Sequence, residues 1–247
     1  MLNNSSAVLE VDVGNSFCKW RVRAGEAILC SGKAKTGELD TLFATAVGVG
    51  LSGAYVCSVA ALGYNKLLTN KIKELWRLEP VFFKVHQDCA GLKNSYADPA
   101  KMGADRWLAA ISAKHKYPGK ALCIVDCGSA VNVEFVSVDA VHIGGYIMPG
   151  LGMMKAALLS DTAKVNSACA DNSIAPGVDT GTNVSNGCLF LLLSLIEKLH
   201  RQTLEKEGVL ILTGGDVSDL LLHLDLPGLV YDRDLVLDGF KYIYPSR

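Results

Sequence analysis

Two aspartates in this chain end short apolar runs, and each is followed two positions on by glycine. Asp12 and Gly14 close the run Val8-Leu-Glu-Val-Asp-Val-Gly-Asn-Ser; Asp126 and Gly128 close Ala121-Leu-Cys-Ile-Val-Asp-Cys-Gly-Ser. A turn of this composition can carry phosphate chemistry. Glycine has no Cβ, so backbone N–H groups can approach an anion closely. An aspartate at the strand end can hold the cation that neutralises phosphate, directly or through water. A single Asp-x-Gly would read as an ordinary hairpin turn. Its recurrence at an offset of 114 positions, close to half of the 247-residue chain, is what gives it weight. A third group, Asp105-Arg106, opens a helical pattern. It reads either as an exposed helix-start pair favoured by the dipole or as a base beside a planar guanidinium suited to polar or anionic substrate groups. Finally, Leu212-Thr-Gly-Gly-Asp runs a strand into Gly214 and Gly215, which would let the chain pass close to an adenine or ribose.

The surrounding elements repeat as well. The first Asp-x-Gly is followed by an alternating strand at Phe17-Cys-Lys-Trp-Arg-Val-Arg and a third strand at Ala27-Ile-Leu-Cys. The second is followed by Val131-Asn-Val-Glu-Phe-Val-Ser and Val141-His-Ile-Gly-Gly-Tyr. Buried-strand candidates close each half, Ala54-Tyr-Val-Cys-Ser-Val and Val209-Leu-Ile-Leu-Thr, with helical patterns at Ala104 to Lys116 and Cys188 to Glu205. This order predicts two α/β domains, each a mixed sheet with flanking helices. Pro118 and Gly119 break the preceding helix, so the domains are expected to span residues 1–117 and 118–247. Two such turns facing each other across a cleft would grip a nucleotide from both sides.

Composition narrows the partner. Twenty-four Lys and Arg against 25 Asp and Glu give a net charge of −1, and no basic block could track a nucleic-acid backbone. A small molecule is expected instead. The first residues lack the positive and apolar regions of a signal peptide. The greasiest later segment, Cys188 to Leu195, is too short for a bilayer span. Eight cysteines without a CxxC pair fit a reducing cytoplasm. The five histidines show no metal-ligand spacing. Trp76 and Trp107 read as core anchors. Trp20 is open between core and cleft wall, and Met148, Met153 and Met154 between gap-filling and a pocket or dimer contact.

Taken in order, the motifs resemble those of the type III pantothenate kinases, members of the acetate kinase, sugar kinase, Hsp70 and actin superfamily. Asp12-Val-Gly-Asn-Ser-Phe-Cys-Lys19 resembles the first phosphate motif, Met102-Gly-Ala-Asp-Arg-Trp the Gly-x-Asp-Arg motif, and Asp126-Cys-Gly-Ser-Ala130 the second phosphate motif. Gly144-Gly-Tyr-Ile-Met-Pro-Gly150, Ala157-Leu, Thr162-Ala163, Gly177-Val-Asp-Thr180, Gly187 and Thr213-Gly-Gly-Asp216 follow the family's later pattern.

The resemblance implies a fold of two duplicated ribonuclease H-like, actin-like ATPase domains around an ATP cleft. It implies ATP-dependent phosphorylation of pantothenate, the first step of coenzyme A synthesis, by a cytoplasmic homodimer without nucleic-acid or membrane partners. In that reading Asp12, Val13, Gly14, Asn15, Ser16, Phe17, Cys18 and Lys19 line ATP, with Asp12 near Mg2+ directly or through water, and Ser129 also binds ATP. Asp105 is the general base. Tyr96, Gly103, Ala104, Asp105, Arg106 and Thr180 bind substrate, and Asp126 holds a monovalent cation, K+ or NH4+. Ser129, Asn132 and Glu134 stand where the family usually has Thr, Thr and Asp, and Val165-Asn166 where Leu-Pro is common. The departures at 132 and 134 are expected to weaken ATP or cation affinity. Two alternatives remain on sequence grounds: a non-catalytic regulatory protein of the same fold, and a kinase for another small metabolite.

Overall fold

The computed structural model describes residues 7–39, 41–160 and 173–244. Two compact units emerge, one of residues 1–115 with 234–247 and one of residues 116–233. The segment 234–247, expected in the second domain, thus falls in the first unit.

In the first unit, β1 (Val8–Val13) is apolar at every other position and buried along nearly its whole length, as a central strand must be. It pairs antiparallel with β2 (Phe17–Ala24), which pairs antiparallel with β3 (Ala27–Lys35). On its other side β1 pairs in parallel with β4 (Gly53–Ser58), which leads through α1 (Leu62–Trp76) to β5 (Val81–Phe82). The sheet order is β3-β2-β1-β4-β5. A small hairpin, β6 (Asp88–Cys89) with β7 (Leu92–Lys93), precedes α2 (Ala104–Lys116).

The second unit repeats this plan. It holds β8 (Leu122–Cys127), β9 (Ala130–Val136), β10 (His142–Pro149), α3 (Leu151–Ser160), α4 (Thr180–Leu204), β11 (Val209–Thr213), α5 (Val217–Leu220) and β12 (Val230–Tyr231). Its order, β10-β9-β8-β11-β12, reproduces the first sheet strand for strand. The two Asp-x-Gly segments therefore occupy the same place in two equivalent sheets, at the end of the central strand.

Period-two alternation splits each strand's side chains between two faces. On one face of the first sheet Leu9, Val11, Val13, Trp20, Val22, Ala54 and Val56 pack with Phe43, Leu68 and Ile72. Trp20 belongs to this core, edge-on to Phe43 at 5.5 Å between ring centroids. Trp107 is fully buried and Trp76 packs against the first core, as anchors should. In the second unit Val125, Val131, Val133, Leu192, Ile196 and Leu212 form the equivalent layer, with Met148 and Met154 against it, while Met153 is exposed.

The opposite face of the first sheet is charged and yet buried. Glu10 accepts from Arg21 Nε at 2.6 Å and from Arg23 Nε at 2.7 Å, and Arg21 reaches Asp238 at 2.7 Å. Asp238 ends α6 (Leu235–Asp238), which with α7 (Phe240–Ile243) brings the C-terminus back to this unit. Tyr244 stacks on Tyr55 and Tyr242 on His115, each at 4.1 Å. Charges this deep are tolerated because each carboxylate oxygen of Glu10 has a guanidinium partner.

Candidate functional site

The first turn is held by backbone and side chain together. Gly14 N–H donates to Phe17 O at 2.9 Å, Thr36 Oγ1 donates to Gly14 O at 2.9 Å, and Thr36 N–H donates to Ser16 O at 3.0 Å. Register places Asp12 between Lys19 on β2 and Cys57 on β4, and Lys19 opposite Lys33 on β3. Lys33 Nζ sits 3.8 Å above the centre of the Phe17 ring. Asn15 and Ser16 are exposed at the tip. Val13 and Cys18 send their side chains into the core, so only their backbone is available to a ligand. Burial, reinforced by Asp12, pushes the Cys18 thiol up to about 12. Thr36, distant from every motif, gave no signal in the sequence.

The second turn is tighter. Residues 14–17 connect the paired positions Val13 and Cys18 in the first unit, whereas residues 128–130 connect Cys127 and Val131 in the second. The loop is one residue shorter, so Asn132 lies opposite Asp126 as Lys19 lies opposite Asp12. On the other side Asp126 pairs with Thr213. Asp216 N–H donates to Cys127 O at 3.0 Å, closing the Thr213-Gly-Gly-Asp216 loop onto the end of β8. Gly214 explains itself here: φ is +105° and a Cβ would lie 2.5 Å from Asp126 Oδ1. Burial first, then Asp126 and Asp216, hold the Cys127 thiol protonated. Ser129 is exposed, and its carbonyl accepts from Gly150 N–H at 3.0 Å.

Glu134, one methylene longer than the family's usual residue, is buried and engaged by His142 Nε2 at 2.7 Å. Room for its carboxylate comes from Gly145, where a Cβ would lie 2.7 Å from Glu134 Oε2.

Asp105 occupies the first turn of α2, where the dipole favours a negative charge. Its Oδ1 accepts from Arg106 N–H at 2.8 Å. A Cβ on Gly103 would stand 2.6 Å from that same oxygen, so the position admits only glycine without displacing Asp105. Arg106 is 8% exposed, and both terminal nitrogens donate to Tyr96 Oη at 3.3 Å. Cys57 connects this group to the first turn. Its thiol is held well above its ordinary range by burial first, then by Asp12 and by Asp105, so both carboxylates act on one small buried side chain. Nothing in its spacing marked Cys57 out.

Within the first unit, then, Asp12, Lys19, Asp105, Arg106 and Tyr96 are organised around the end of β1 and the start of α2. In the second, Asp126 is framed by Asn132, Thr213 and Asp216. Thr180 opens α4 as an exposed residue, next to Asp179, whose carboxylate caps the helix by accepting from Thr182 N–H at 2.9 Å. Thr162-Ala163 and Val165-Asn166 lie outside the described residues. Among the described residues no group of three or more His, Cys, Asp or Glu could hold a metal, and no helix is long and apolar enough to cross a membrane.

Known proteins resemble this chain in sequence and in fold. A family model described as type III pantothenate kinase matches residues 8–202. A type III pantothenate kinase of Alcanivorax borkumensis is 35% identical over 243 residues, covering 96% of this chain and 98% of the relative. One from Pseudomonas putida is 34% identical over 253 residues, covering 96% and 99%. Among solved structures, a conserved Baf family protein of Campylobacter jejuni superposes with TM-score 0.59 at 19% identity, over 95% of this chain and 96% of that one. MreB 5 of Spiroplasma citri bound to AMPPNP superposes with TM-score 0.50 at 10% identity, over 98% and 96%. The paired mixed sheets are those of the actin-like ATPase fold.

Proposed function

The chain belongs to the type III pantothenate kinase family, and on that premise we propose that Asp105 is the general base of its reaction and Arg106 and Tyr96 its main substrate contacts. The reaction itself is the ATP-dependent phosphorylation of pantothenate to 4′-phosphopantothenate, the opening step of coenzyme A synthesis. The observation that carries the residue assignment is the arrangement at the start of α2: a carboxylate seated by its own helix turn, beside a buried guanidinium that holds a tyrosine hydroxyl.

Phosphoryl transfer asks the protein mainly for positioning and charge neutralisation. An aspartate with a pKa of ~4 is a weak base for an alcohol. It suffices when the proton leaves late and the carboxylate chiefly orients the primary hydroxyl toward the phosphorus. Arg106, with its two donors on Tyr96, presents a fixed fork to the polar groups of pantothenate. Ala104 and Gly103 shape the backbone beside it, and Thr180 supplies a further hydroxyl to the substrate. The Asp12–Lys19 turn offers backbone N–H groups and the Lys19 ammonium to the phosphates of ATP, and Ser129 adds a hydroxyl.

Asp12 and Asp126 are single strand-end carboxylates. Such a donor set fits a hard cation whose remaining ligands are water and phosphate oxygens. Asp12 would hold Mg2+, directly or through water, and Asp126 a monovalent cation, K+ or NH4+; these cations supply charge neutralisation. The exposed Tyr146 and Ile147 on the edge strand β10, and Phe190 and Leu191 on α4, suit burial against a second copy of the chain. The enzyme acts as a homodimer in the cytoplasm.

Purified protein with ATP, Mg2+ and pantothenate should release ADP only when pantothenate is present, and faster in K+ than in Na+ alone. Asp105→Asn should bind both substrates while turnover drops by roughly 10²–10⁴-fold. Wild-type turnover in that variant would remove Asp105 from the mechanism. A sedimentation mass of one chain at assay concentration would remove the dimer.

A further inference from the structure

Asn94 begins the stretch Asn94-Ser-Tyr-x-Asp-Pro, of which only Tyr96 has a role in the reading above. It is 1% exposed, unusual for an uncharged amide outside any sheet or helix. Every polar group it carries is used. Its side-chain Oδ1 accepts from Tyr96 N–H at 2.9 Å, and its Nδ2 donates to Met102 Sδ at 3.4 Å. Its backbone N–H donates to Gln87 O at 2.7 Å, and its carbonyl accepts from Gln87 Nε2.

Those partners close a circuit. Met102 is 3% exposed and immediately precedes Gly103, Ala104, Asp105 and Arg106. Its own N–H donates to Pro99 O at 3.1 Å, which fixes the turn leading into α2. Arg106 returns to Tyr96 Oη through both terminal nitrogens. The Asn94 carboxamide therefore joins the segment that carries Tyr96 to the turn that carries Asp105, in addition to the Arg106 bridge.

We propose that Asn94 is a positioning residue for phosphoryl transfer, its buried carboxamide setting Tyr96 and the Met102–Arg106 turn at the separation one substrate molecule requires. This rests on the assignment of Tyr96 and Arg106 as substrate contacts. The side chain suits the task. An acceptor must face an N–H and a donor must face a sulfur at the same position, and an amide supplies both on separate atoms without charge. Aspartate would bring a buried charge, and leucine would remove the acceptor that Asn94 offers to Tyr96 N–H.

The test is pantothenate binding by isothermal titration, with ATP binding measured in parallel, for Asn94→Ala, Met102→Leu and the double variant. Asn94→Ala should weaken pantothenate binding about tenfold and lower kcat, leaving ATP affinity within twofold. Met102→Leu keeps the volume and removes the acceptor, so it should weaken pantothenate binding by a smaller factor. The double variant should lose less than the product of the two effects, because both act through one bond. Pantothenate affinity unchanged in both single variants, or a loss shared equally by ATP, overturns the proposal. Should Asn94→Ala fail to fold, Met102→Leu decides alone, and unaltered pantothenate binding there counts against it. A wild-type protein that binds ATP but no pantothenate would instead overturn the substrate assignment on which the proposal stands.

Discussion

Replacing Gly103 with alanine adds one methyl group beside the carboxylate proposed as the general base. The new Cβ would lie 2.6 Å from Asp105 Oδ1 and 3.3 Å from Arg106 Cδ, where ordinary contact begins at 3.4 Å. The difference between 3.4 and 2.6 Å means that the carboxylate must retreat by about 0.8 Å. The retreat also disturbs the bond that Arg106 N–H donates to it. Misplacing a reacting group by about 1 Å can lower a rate about 10²-fold. A tenfold to hundredfold fall in kcat, or about 1.4–2.7 kcal/mol in the barrier, is therefore expected. Stability should move the other way or stay level. Gly103 is not among the glycines with positive φ, so alanine fits the backbone and reduces unfolded-state entropy by about 0.4–1 kcal/mol. The assay is steady-state ADP release at saturating ATP and pantothenate, beside a thermal melt. A kcat within twofold of wild type at unchanged Tm would refute the reasoning, because the position of Asp105 would then not limit the rate.

Other substitutions probe the supports of the site. Glu10→Ala leaves Arg21 and Arg23 buried without their shared carboxylate; a loss of about 3–5 kcal/mol in urea unfolding is expected, and a loss under 1 kcal/mol would show that water compensates them. Gly214→Ala forces a side chain into a φ of +105° and against Asp126, so stability should fall by about 1–3 kcal/mol and the K+ dependence of turnover should change with it. His115, held below its ordinary value of 6.5 by burial and then by Lys114, against its bond to Ala90 O, is favoured neutral in the native state. Its stabilisation is full above about pH 6.5 and is lost as pH falls toward the lower native value. His115→Phe, which keeps a ring against Tyr242, should flatten the acid side of a Tm-against-pH curve; an unchanged curve would assign that slope to other groups.

How much of this was legible beforehand follows from the range of the interactions. The repeated strand–turn–strand units, the helix opening at Asp105 and the Asp-x-Gly turns depend on neighbours within a few residues, and their periodicity is written in the chain. Trp20 was ambiguous because a strand residue can face either side, and only packing against Phe43 and Gly32 chose one. Residues 234–247 group with the first unit for a similar reason. Nothing local in residues 234–247 reveals that Asp238 completes an ion cluster with Arg21, 217 positions away.

The sequence alone determined the duplicated architecture and the family, and it singled out Asp12, Asp105, Arg106 and Asp126 as candidates for the chemistry, because residue type and local spacing carry that information. Tertiary structure decided what surrounds them. It placed Lys19 but Asn132 opposite the two strand-end aspartates through a one-residue difference in turn length. It set Cys57 under the influence of both Asp12 and Asp105, engaged Glu134 with His142, and gave Asn94 a sulfur partner in the turn that precedes α2. Each of these depends on strand register or on loops meeting in space, and a one-dimensional pattern does not encode which side chains a folded sheet and its helices bring within hydrogen-bonding distance.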